Sequence, residues 1–356
     1  MSVAPPTRVL ILGAGDWAAQ HVREYTAMGG STVVAAVDNR PDTLAAFLAA
    51  HDIERGFASL EDALAWGAFD AASNVTPDAV HHPTTLALLA AGKHVLCEKP
   101  LAPDQALARD MAEAAATAGV VNAVNLRYRA VPAFATAQAM VAAGRIGAVR
   151  HLEAGYLQSW LMQPRWGDWK TDPTWLWRVS SAHGSTGVLG DVGIHILDLA
   201  AFVAGGDPVD LSCRLKTFDK MPGGRIGEYV LDANDSAVMH LELDNGAIGT
   251  VTATRFAAGH HNDLYVRVYG DDGGVEAGYE NETWQLRACL GEDATTATWR
   301  DVPTPAVPTI WERFIGAIRE GGKVEPDFAR GAAVQRWLDD AIASDRRGQT
   351  ALTRRT

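Results

Sequence analysis

The chain has 356 residues, of which 47% are hydrophobic and 21% charged, so it is long enough for two globular domains. Its formal charge of −12 argues against nucleic acid or an anionic membrane as a partner, because both attract clustered Lys and Arg. The three cysteines are too few and too scattered for a disulfide framework or a zinc motif, and with no leader pattern at the N-terminus they predict a reduced, cytoplasmic protein.

The first predicted elements are a buried strand, a glycine turn and a helix in the stretch RVLILGAGDWAAQHV. No apolar run here or later approaches the roughly 20 residues of a membrane span. Gly13, Gly15 and Ala18 occupy the small positions of G-x-G-x-x-G/A, where the first makes the turn, the second admits a pyrophosphate and the third packs helix on strand. A glycine turn that binds no nucleotide is the alternative. The predicted cofactor-binding residues of this turn are Gly13, Ala14, Gly15, Asp16 and Trp17.

The second predicted strand, in STVVAAVDNR, ends in Asp38, about twenty residues after Ala18. An acidic side chain at this place accepts hydrogen bonds from the adenosine ribose hydroxyls and repels a 2′-phosphate. Arg40 close by could accommodate that phosphate. The pattern therefore favours NAD as the cofactor and keeps NADP as the alternative.

Strands and helices then alternate, which predicts a parallel, doubly wound sheet in an N-terminal domain of residues 1–127. Among the helices, HPTTLALLAAG has Pro83 near its start and PDQALARDMAEAAATAG has Pro103 in its first turn. NVTP (74–77) and CEKP (97–100) follow two strands, so Thr76, Glu98 and Lys99 are expected to face the cofactor crevice. An oxidised nicotinamide beside Lys99 would favour its neutral, proton-accepting form; a solvated lysine in a turn is the alternative.

The pattern changes after Tyr128, where successive strands follow without intervening helices. DNG (244–246) and GDDGG (270–274) mark turns between strands. Two amphipathic helices, in TIWERFIGAIREGG and FARGAAVQRWLDDAIAS, close the chain. We therefore predict a second, α+β domain over residues 128–356 with an antiparallel or mixed sheet.

Tryptophan is concentrated just before the stretch GDVGIHILDL: five of the eleven, Trp160, Trp166, Trp169, Trp175 and Trp177, lie within eighteen residues. Indole faces suit the apolar faces of a sugar or cyclitol. Alternatively, the rings pin an irregular loop onto the sheet. We favour the second interpretation for most of these tryptophans and expect one or two of them to line the substrate site.

GDVGIHILDL places Asp191 and His195 one helical turn apart, which predicts that they share a helix face. A catalytic zinc site takes three protein ligands and no third ligand has a suitable spacing, so no metal is predicted. Asp191 precedes an apolar helical run and is expected to cap the helix, a role compatible with catalysis. Histidine, with an ordinary pKa of about 6.5, suits proton transfer, although a buried core histidine is the alternative for His195. Asp198 is left out of the catalytic set.

Together, G-A-G-D-W-A, Asp38, TPDAVH, GKHVLCEKPLA, AAGRIGAV, WLWR and GDVGIHILDL resemble the glucose–fructose oxidoreductase/inositol dehydrogenase family (Gfo/Idh/MocA). The resemblance covers nearly the whole chain and is weakest across about residues 205–232 and 275–305. It implies an N-terminal Rossmann domain and a C-terminal domain with a large, mostly antiparallel open sheet that forms dimers or tetramers. It also implies NAD(P)-linked hydride transfer on sugars, sugar derivatives or cyclitols.

The resemblance assigns Lys99, Asp191 and His195 to the active site. His195 would accept the hydroxyl proton, Lys99 would stabilise alkoxide character, and Asp191 would orient the histidine or hold a second hydroxyl. Four positions match residues that line the cofactor, namely Thr76, Pro77, His81 and Glu98. Substrate contacts are predicted from Arg127, Tyr156, Trp177 and Arg178. The stretch STGVLGD has fewer glycines before the aspartate than the family often has, so the sugar itself is not predicted.

Two other functions use the same motifs. An NAD-dependent glycosidase would oxidise a sugar hydroxyl transiently, expel the aglycone by elimination and return the hydride, with Lys99 and His195 in the same roles. A non-catalytic NAD(H)-binding sensor would need none of Lys99, Asp191 and His195. The presence of all three favours the dehydrogenase.

Overall fold

The computed structural model describes residues 5–164 and 166–348; residues 1–4 of the N-terminal stretch lie outside this description. The chain forms two compact units, Met1–Arg127 with Pro308–Arg336 and Tyr128–Val307 with Trp337–Thr356. The predicted division into domains 1–127 and 128–356 stays a prediction. The units differ from it because the segment 308–336 belongs to the first unit.

The strands in chain order are β1 (Thr7–Leu12), β2 (Ser31–Val37), β3 (Gly56–Phe57), β4 (Ala71–Asn74), β5 (His94–Cys97), β6 (Asn122–Val124), β7 (Val149–Gln158), β8 (Pro208–Lys216), β9 (Arg225–Ile226), β10 (Tyr229–Val230), β11 (Ser236–Leu243), β12 (Ile248–Thr254), β13 (Asn262–Gly270), β14 (Gly273–Glu280), β15 (Thr283–Leu290) and β16 (Arg300–Asp301). The helices are α1 (Asp16–Ala27), α2 (Pro41–His51), α3 (Leu60–Trp66), α4 (Asp78–Ala90), α5 (Gln105–Ala118), α6 (Pro132–Ala142), α7 (Pro173–Leu176), α8 (Ile194–Ala204), α9 (Glu292–Thr296), α10 (Ile310–Glu320) and α11 (Phe328–Gly348). A π-helical turn, Leu189–Gly193, runs directly into α8.

In the first unit, the described residues form a six-stranded parallel sheet with the order β3-β2-β1-β4-β5-β6. The strand β1 is almost entirely buried, as expected for an apolar run in the middle of a parallel sheet. The order reverses between β1 and β4, and ligands of such sheets bind outside the carboxyl ends near that point. The predicted doubly wound Rossmann sheet is confirmed.

Two helix starts differ from the sequence predictions. The helix α4 begins at Asp78, so Pro83 lies inside it rather than near its start. The helix α5 begins at Gln105, after Pro103, because the Asp104 side chain accepts a hydrogen bond from the Leu107 N–H at 3.0 Å and caps the helix. Aspartate supplies the acceptor that a helix start requires, and proline does not.

In the second unit, the described residues form an eight-stranded sheet with the order β16-β15-β14-β13-β7-β12-β11-β8. Its pairs are antiparallel except β7 with β12, so the predicted, mostly antiparallel sheet is confirmed. The DNG and GDDGG stretches connect β11 to β12 and β13 to β14, as predicted. The sequence analysis missed β15 and the short hairpin of β9 and β10.

The helix α10 returns to the first unit. Its N-terminus carries a capping box in which Thr309 and Glu312 exchange hydrogen bonds with each other's backbone N–H groups. Its apolar face, with Trp311 and Phe314, packs into the core formed by α1 and the parallel strands. Across residues 5–164 and 166–348, no helix is long and apolar enough to cross a membrane.

Candidate active site

The glycine turn after β1 contains two glycines with different physical requirements. Gly13 has a φ of +95°, and a Cβ built on it would lie 2.7 Å from the Val75 carbonyl oxygen. Gly15 precedes α1 in an extended conformation, and a Cβ there would meet no atom within 4 Å. The first glycine is required by packing, whereas the second leaves space above the helix start. The first N–H groups of α1 would hold the pyrophosphate of a dinucleotide in that space.

Asp38 directly follows β2 and is largely buried. Its carboxylate accepts hydrogen bonds from the Ala14 N–H at 2.9 Å and from the Arg40 N–H, Nε and Nη2, each at 2.9 Å. The hydrogen bonds from Arg40 hold the pKa of Asp38 at about 2. A carboxylate that is ionised at neutral pH therefore lies at the end of β2, where a dinucleotide would place its adenosine ribose.

Glu98 directly follows β5 and is the centre of a buried hydrogen-bond network. Its carboxylate accepts from Trp17 Nε1 at 2.7 Å, from His21 Nε2 at 2.9 Å, from Asn125 Nδ2 and from the Lys99 N–H at 3.2 Å. Burial by itself raises the pKa of Glu98, but the hydrogen bonds from His21 and Asn125 and the charge of Lys99 lower it to about 2. Glu98 is thus an anion that orients the groups around Lys99.

The His21 ring is oriented by Trp311, which lies on α10. The Trp311 Nε1–H donates to His21 Nδ1 at 3.2 Å. An indole N–H only donates, so Nδ1 accepts and the ring proton lies on Nε2, where it bonds Glu98. The two rings meet edge to face at 5.2 Å. His21 and Trp311 were both missed in the sequence analysis; His21 is identified by its hydrogen bond to Glu98, and Trp311 by its hydrogen bond to His21.

The loop after β4 is held by His81. This ring is fully buried, and its Nδ1 and Nε2 lie 2.9 Å from the Pro100 carbonyl oxygen and 2.8 Å from the Thr76 carbonyl oxygen. Both carbonyl oxygens accept, so both ring nitrogens donate and the ring is an imidazolium. Burial opposes this charge, but the neighbouring Cys97 and the Pro100 carbonyl raise the pKa of His81 to about 10. His81 therefore ties the loop after β4 to the loop after β5.

The predicted residues of the first unit converge on the carboxyl edge of its sheet. Arg127 lies over the Trp17 indole, 4.9 Å from the ring centroid, and the same indole bonds Glu98. Thr76 donates from its hydroxyl to Asn74 Oδ1 at 2.7 Å. Pro77 is the residue before α4. Arg127 was predicted to contact substrate, and that role stays a prediction.

In the second unit, Asp191 lies between two arginines. Arg178 Nη1 donates to Oδ1 at 3.2 Å and Arg255 Nη2 donates to Oδ2 at 2.9 Å. Asp191 lies inside the π-helical turn, and the residue before α8 is Gly193, which makes no side-chain cap. The predicted capping role of Asp191 is therefore wrong, because its carboxylate is engaged by guanidinium groups. π-helical turns of this kind are frequent at functional sites.

His195 lies in the first turn of α8 and is 7% exposed. Its ring meets the Tyr128 ring edge to face, with 4.9 Å between centroids. The Tyr128 hydroxyl is hydrogen bonded to the Tyr156 hydroxyl at 2.7 Å. The structure thus joins the predicted residues His195 and Tyr156 through Tyr128, which the sequence analysis missed.

The tryptophan-rich segment divides into buried and exposed members. Trp160 and Trp169 belong to a small core with Leu161, Leu176 and Val179. This confirms for these two the interpretation that the rings anchor the loop. Trp166 and Trp177 are exposed, and Trp177 lies against the Arg178 guanidinium, with 4.8 Å between the guanidinium carbon and the ring centroid. The predicted substrate contact of Trp177 stays a prediction.

Asp198 forms a buried, two-pronged ion pair with Arg129, whose guanidinium also lies over the Phe202 ring. The ion pair with Arg129 explains why the Asp198 carboxylate is buried on α8, so no catalytic role is needed to explain it. Within residues 5–164 and 166–348, no three His, Cys, Asp or Glu side chains are grouped as metal ligands would be.

Comparison with known proteins gives matches along most of the chain. Residues 7–126 match the family described as "Oxidoreductase family, NAD-binding Rossmann fold", and residues 134–276 match the "GFO/IDH/MocA C-terminal domain". Levoglucosan dehydrogenase from Pseudarthrobacter phenanthrenivorans is 30% identical over 75% of this chain and 75% of its own length. Inositol 2-dehydrogenase from Leifsonia xyli subsp. xyli is 28% identical, covering 95% of this chain and 86% of its own length.

Solved structures agree with the sequence matches. The structure of levoglucosan dehydrogenase in complex with NADH and levoglucosan aligns with a TM-score of 0.85 and 25% identity, over 96% of this chain and 98% of that one. An oxidoreductase domain protein from Kribbella flavida aligns with the same TM-score at 28% identity, over 97% of this chain and 98% of that one.

Proposed function

The chain belongs to the GFO/IDH/MocA family of NAD-binding oxidoreductases, and on this premise we propose that it transfers a hydride between NAD and a hydroxyl-bearing carbon of a sugar, a sugar derivative or a cyclitol. The observation that carries the proposal is the buried Glu98 network beside Lys99, in the same unit as the open glycine turn at Gly15. Relatives named levoglucosan dehydrogenase and inositol 2-dehydrogenase support the substrate class.

The roles of the chain's own residues follow from their hydrogen bonds. A bound nicotinamide would supply the hydride acceptor for the carbinol carbon. Asp191 accepts two guanidinium hydrogen bonds, one on each oxygen, and is therefore a carboxylate with a fixed orientation rather than the proton acceptor. We assign the proton transfer to His195 and the stabilisation of alkoxide charge to Lys99.

The proposal is tested by NADH absorbance during incubation of the purified chain with NAD and a panel of levoglucosan, myo-inositol and methyl glucosides. Lys99→Met and His195→Ala are expected to bind NAD like the wild type and to lower turnover at least ~10²-fold, because each removes a proton or charge function. Lys216→Met and His51→Ala are matched controls, since Lys216 ends β8, His51 ends α2 and neither belongs to the predicted site residues, and both should keep wild-type turnover.

The outcomes separate the three candidate functions. NADH accumulation supports the dehydrogenase. Aglycone release from methyl glucosides without net NADH supports the glycosidase instead. NAD binding without turnover of any compound, together with unchanged behaviour of both active-site variants, supports a sensor and refutes the roles of Lys99 and His195.

NAD rather than NADP is the proposed cofactor. The ionised Asp38 carboxylate repels a 2′-phosphate, and Arg40 is held against Asp38 by two side-chain hydrogen bonds. Asp38→Ala removes the repulsion and releases Arg40. The ratio of kcat/KM for NADP to that for NAD should rise at least ~10-fold, which corresponds to about 1.4 kcal/mol. An unchanged ratio would contradict the proposal.

A homodimer or homotetramer through the eight-stranded sheet is the proposed assembly. The register aligns a row of alternating charge across four neighbouring strands, namely Glu153, Arg267, Glu276 and Arg287. Val238 and Ile248 are exposed on β11 and β12. A row of alternating charge can pair with the same row of a second copy, and exposed apolar side chains mark interaction surfaces. Ile248→Asp should reduce the sedimentation coefficient without lowering the melting temperature; unchanged sedimentation would argue against this face.

Placement in the cytoplasm stays a prediction from the sequence. The three cysteines, Cys97, Cys213 and Cys289, are buried free thiols, which is compatible with a reducing compartment.

A further inference from the structure

The two arginines beside Asp191 differ in exposure. The side chain of Arg178 is 31% exposed and that of Arg255 is 1% exposed. The Arg178 guanidinium contacts two indoles, with ring centroids 5.3 Å away for Trp175 and 4.8 Å away for Trp177. An exposed guanidinium can exchange its partner for solvent or substrate. Arg255 lacks this freedom and is the permanent partner of Asp191.

Arg255 is held on several sides within the second unit. It directly follows β12, and its backbone N–H donates to the Asp235 carbonyl oxygen at 3.0 Å. Its Nη1 donates to the Arg178 carbonyl oxygen at 2.9 Å. The guanidinium lies over the Trp160 indole, 4.9 Å from the ring centroid. These contacts leave the side chain one orientation, with Nη2 directed at Asp191.

A buried charge at this place is energetically unfavourable unless it is paired. Burial lowers the pKa of Arg255, and the charges of Asp191 and Asp235 oppose that shift. Well-packed apolar side chains often replace a buried ion pair without loss of stability. Stability alone therefore does not account for Arg255, whereas a requirement for a fixed carboxylate at position 191 does.

We infer that Arg255 is a positioning residue that holds the Asp191 carboxylate in one orientation for its part in the reaction, an inference that rests on the proposed function. Trp160 covers the guanidinium and keeps water from competing for the hydrogen bond between Arg255 and Asp191. The role of Trp160 is then to support Arg255, and sugar stacking is left to the exposed members of the tryptophan-rich segment.

The test is a double-mutant cycle of Arg255→Met and Asp191→Asn, with kcat, KM and NAD affinity measured on levoglucosan and myo-inositol. Arg255→Met should lower kcat by about 10- to 100-fold, the size of effect found when a group that orients a metal-ligating residue is removed. NAD affinity should stay within about twofold, because the predicted cofactor residues belong to the first unit. Adding Arg255→Met to Asp191→Asn should lower kcat no further, because Arg255 acts through Asp191.

Two further variants distinguish a loss of positioning from a loss of folding. Arg255→Lys keeps a charge at the site and should recover part of the lost kcat. Arg300→Met removes an exposed arginine that also pairs with an aspartate, Asp293, and should behave like the wild type. Wild-type kcat in Arg255→Met, or multiplicative losses in the double variant, would overturn the inference.

The failure of the proposed function gives a different result. If the wild type turns over neither compound, the substrate proposal fails. Urea unfolding of the wild type, the two single variants and the double variant then tests whether Arg255 and Asp191 are energetically coupled. Coupled residues predict that the double variant unfolds at the same urea concentration as the less stable single variant. Additive losses of stability would show that Arg255 does not act on Asp191.

Discussion

Replacing each glycine of the β1–α1 turn by alanine should separate a structural glycine from a functional one. In Gly13→Ala, the new Cβ lies 2.7 Å from the Val75 carbonyl oxygen and 2.9 Å from its carbon, at a φ of +95°. The left-handed conformation costs about 1–2 kcal/mol for a residue with a Cβ. Overpacking against the backbone directly after β4 costs about 1–3 kcal/mol more. The first unit should lose roughly 2–5 kcal/mol of stability.

Gly15→Ala should behave in the opposite way. The residue is extended, with a φ of −78°, and the new Cβ meets no protein atom within 4 Å. The free energy of unfolding should therefore change by less than about 1 kcal/mol. The methyl group projects into the space assigned to the pyrophosphate, so NAD affinity should fall at least ~10-fold.

Thermal unfolding followed by circular dichroism, with and without NAD, and calorimetric NAD titration measure both effects. For a unit of this size each kcal/mol corresponds to about 2–4 °C, so Gly13→Ala should melt roughly 4–20 °C lower than the wild type. Gly15→Ala should melt like the wild type but lose the stabilisation by NAD. Wild-type NAD affinity in Gly15→Ala would refute the placement of the pyrophosphate, and wild-type melting of Gly13→Ala would refute the steric argument.

Three other variants test the buried Glu98 carboxylate, the buried ion pair of Arg129 with Asp198, and the capping box at the N-terminus of α10. The folded-state pKa of Glu98 lies below its ordinary value of 4.5, so its contribution of roughly 3 kcal/mol is present above pH 4.5 and is lost as the pH falls towards 2. In urea titrations, Glu98→Gln should be less stable than the wild type at pH 7, and the difference should shrink towards pH 3. Arg129→Met leaves the Asp198 carboxylate buried without its guanidinium and should cost about 3–5 kcal/mol in the same assay; a loss below 1 kcal/mol would contradict the pairing. Thr309→Ala removes the capping box and should cost about 1 kcal/mol, with no change in turnover.

The parallel sheet and its cofactor turn are predictable from local sequence. Buried parallel strands are short apolar runs, and the glycines of the turn follow β1 directly, so the pattern identifies both without long-range contacts. Asp38 and Glu98 are predictable in the same way, because each directly follows a strand whose carboxyl end faces the ligand edge.

The partners of these residues are not predictable from local sequence. Trp311 orients His21 across 290 residues of chain, and no pattern near either residue indicates the contact. Asp191 has the local signature of a helix cap, but the π-helical turn carries the helix past it and Arg255 takes its carboxylate. Tertiary contacts override the local preference there because a guanidinium is a stronger partner for the partly buried Asp191 carboxylate than the backbone N–H groups of a helix start.

The sequence by itself determined the fold class, the nucleotide-binding turn and the identities of Lys99, Asp191 and His195 as candidates, because each depends on short-range periodicity or on motif spacing. Only the tertiary structure decided what surrounds them: the network on Glu98, the arginines on Asp191 and the tyrosine on His195. The environment of a charged or titratable group depends on which distant elements pack against it, and that is settled by the assembly of the sheets rather than by any local stretch.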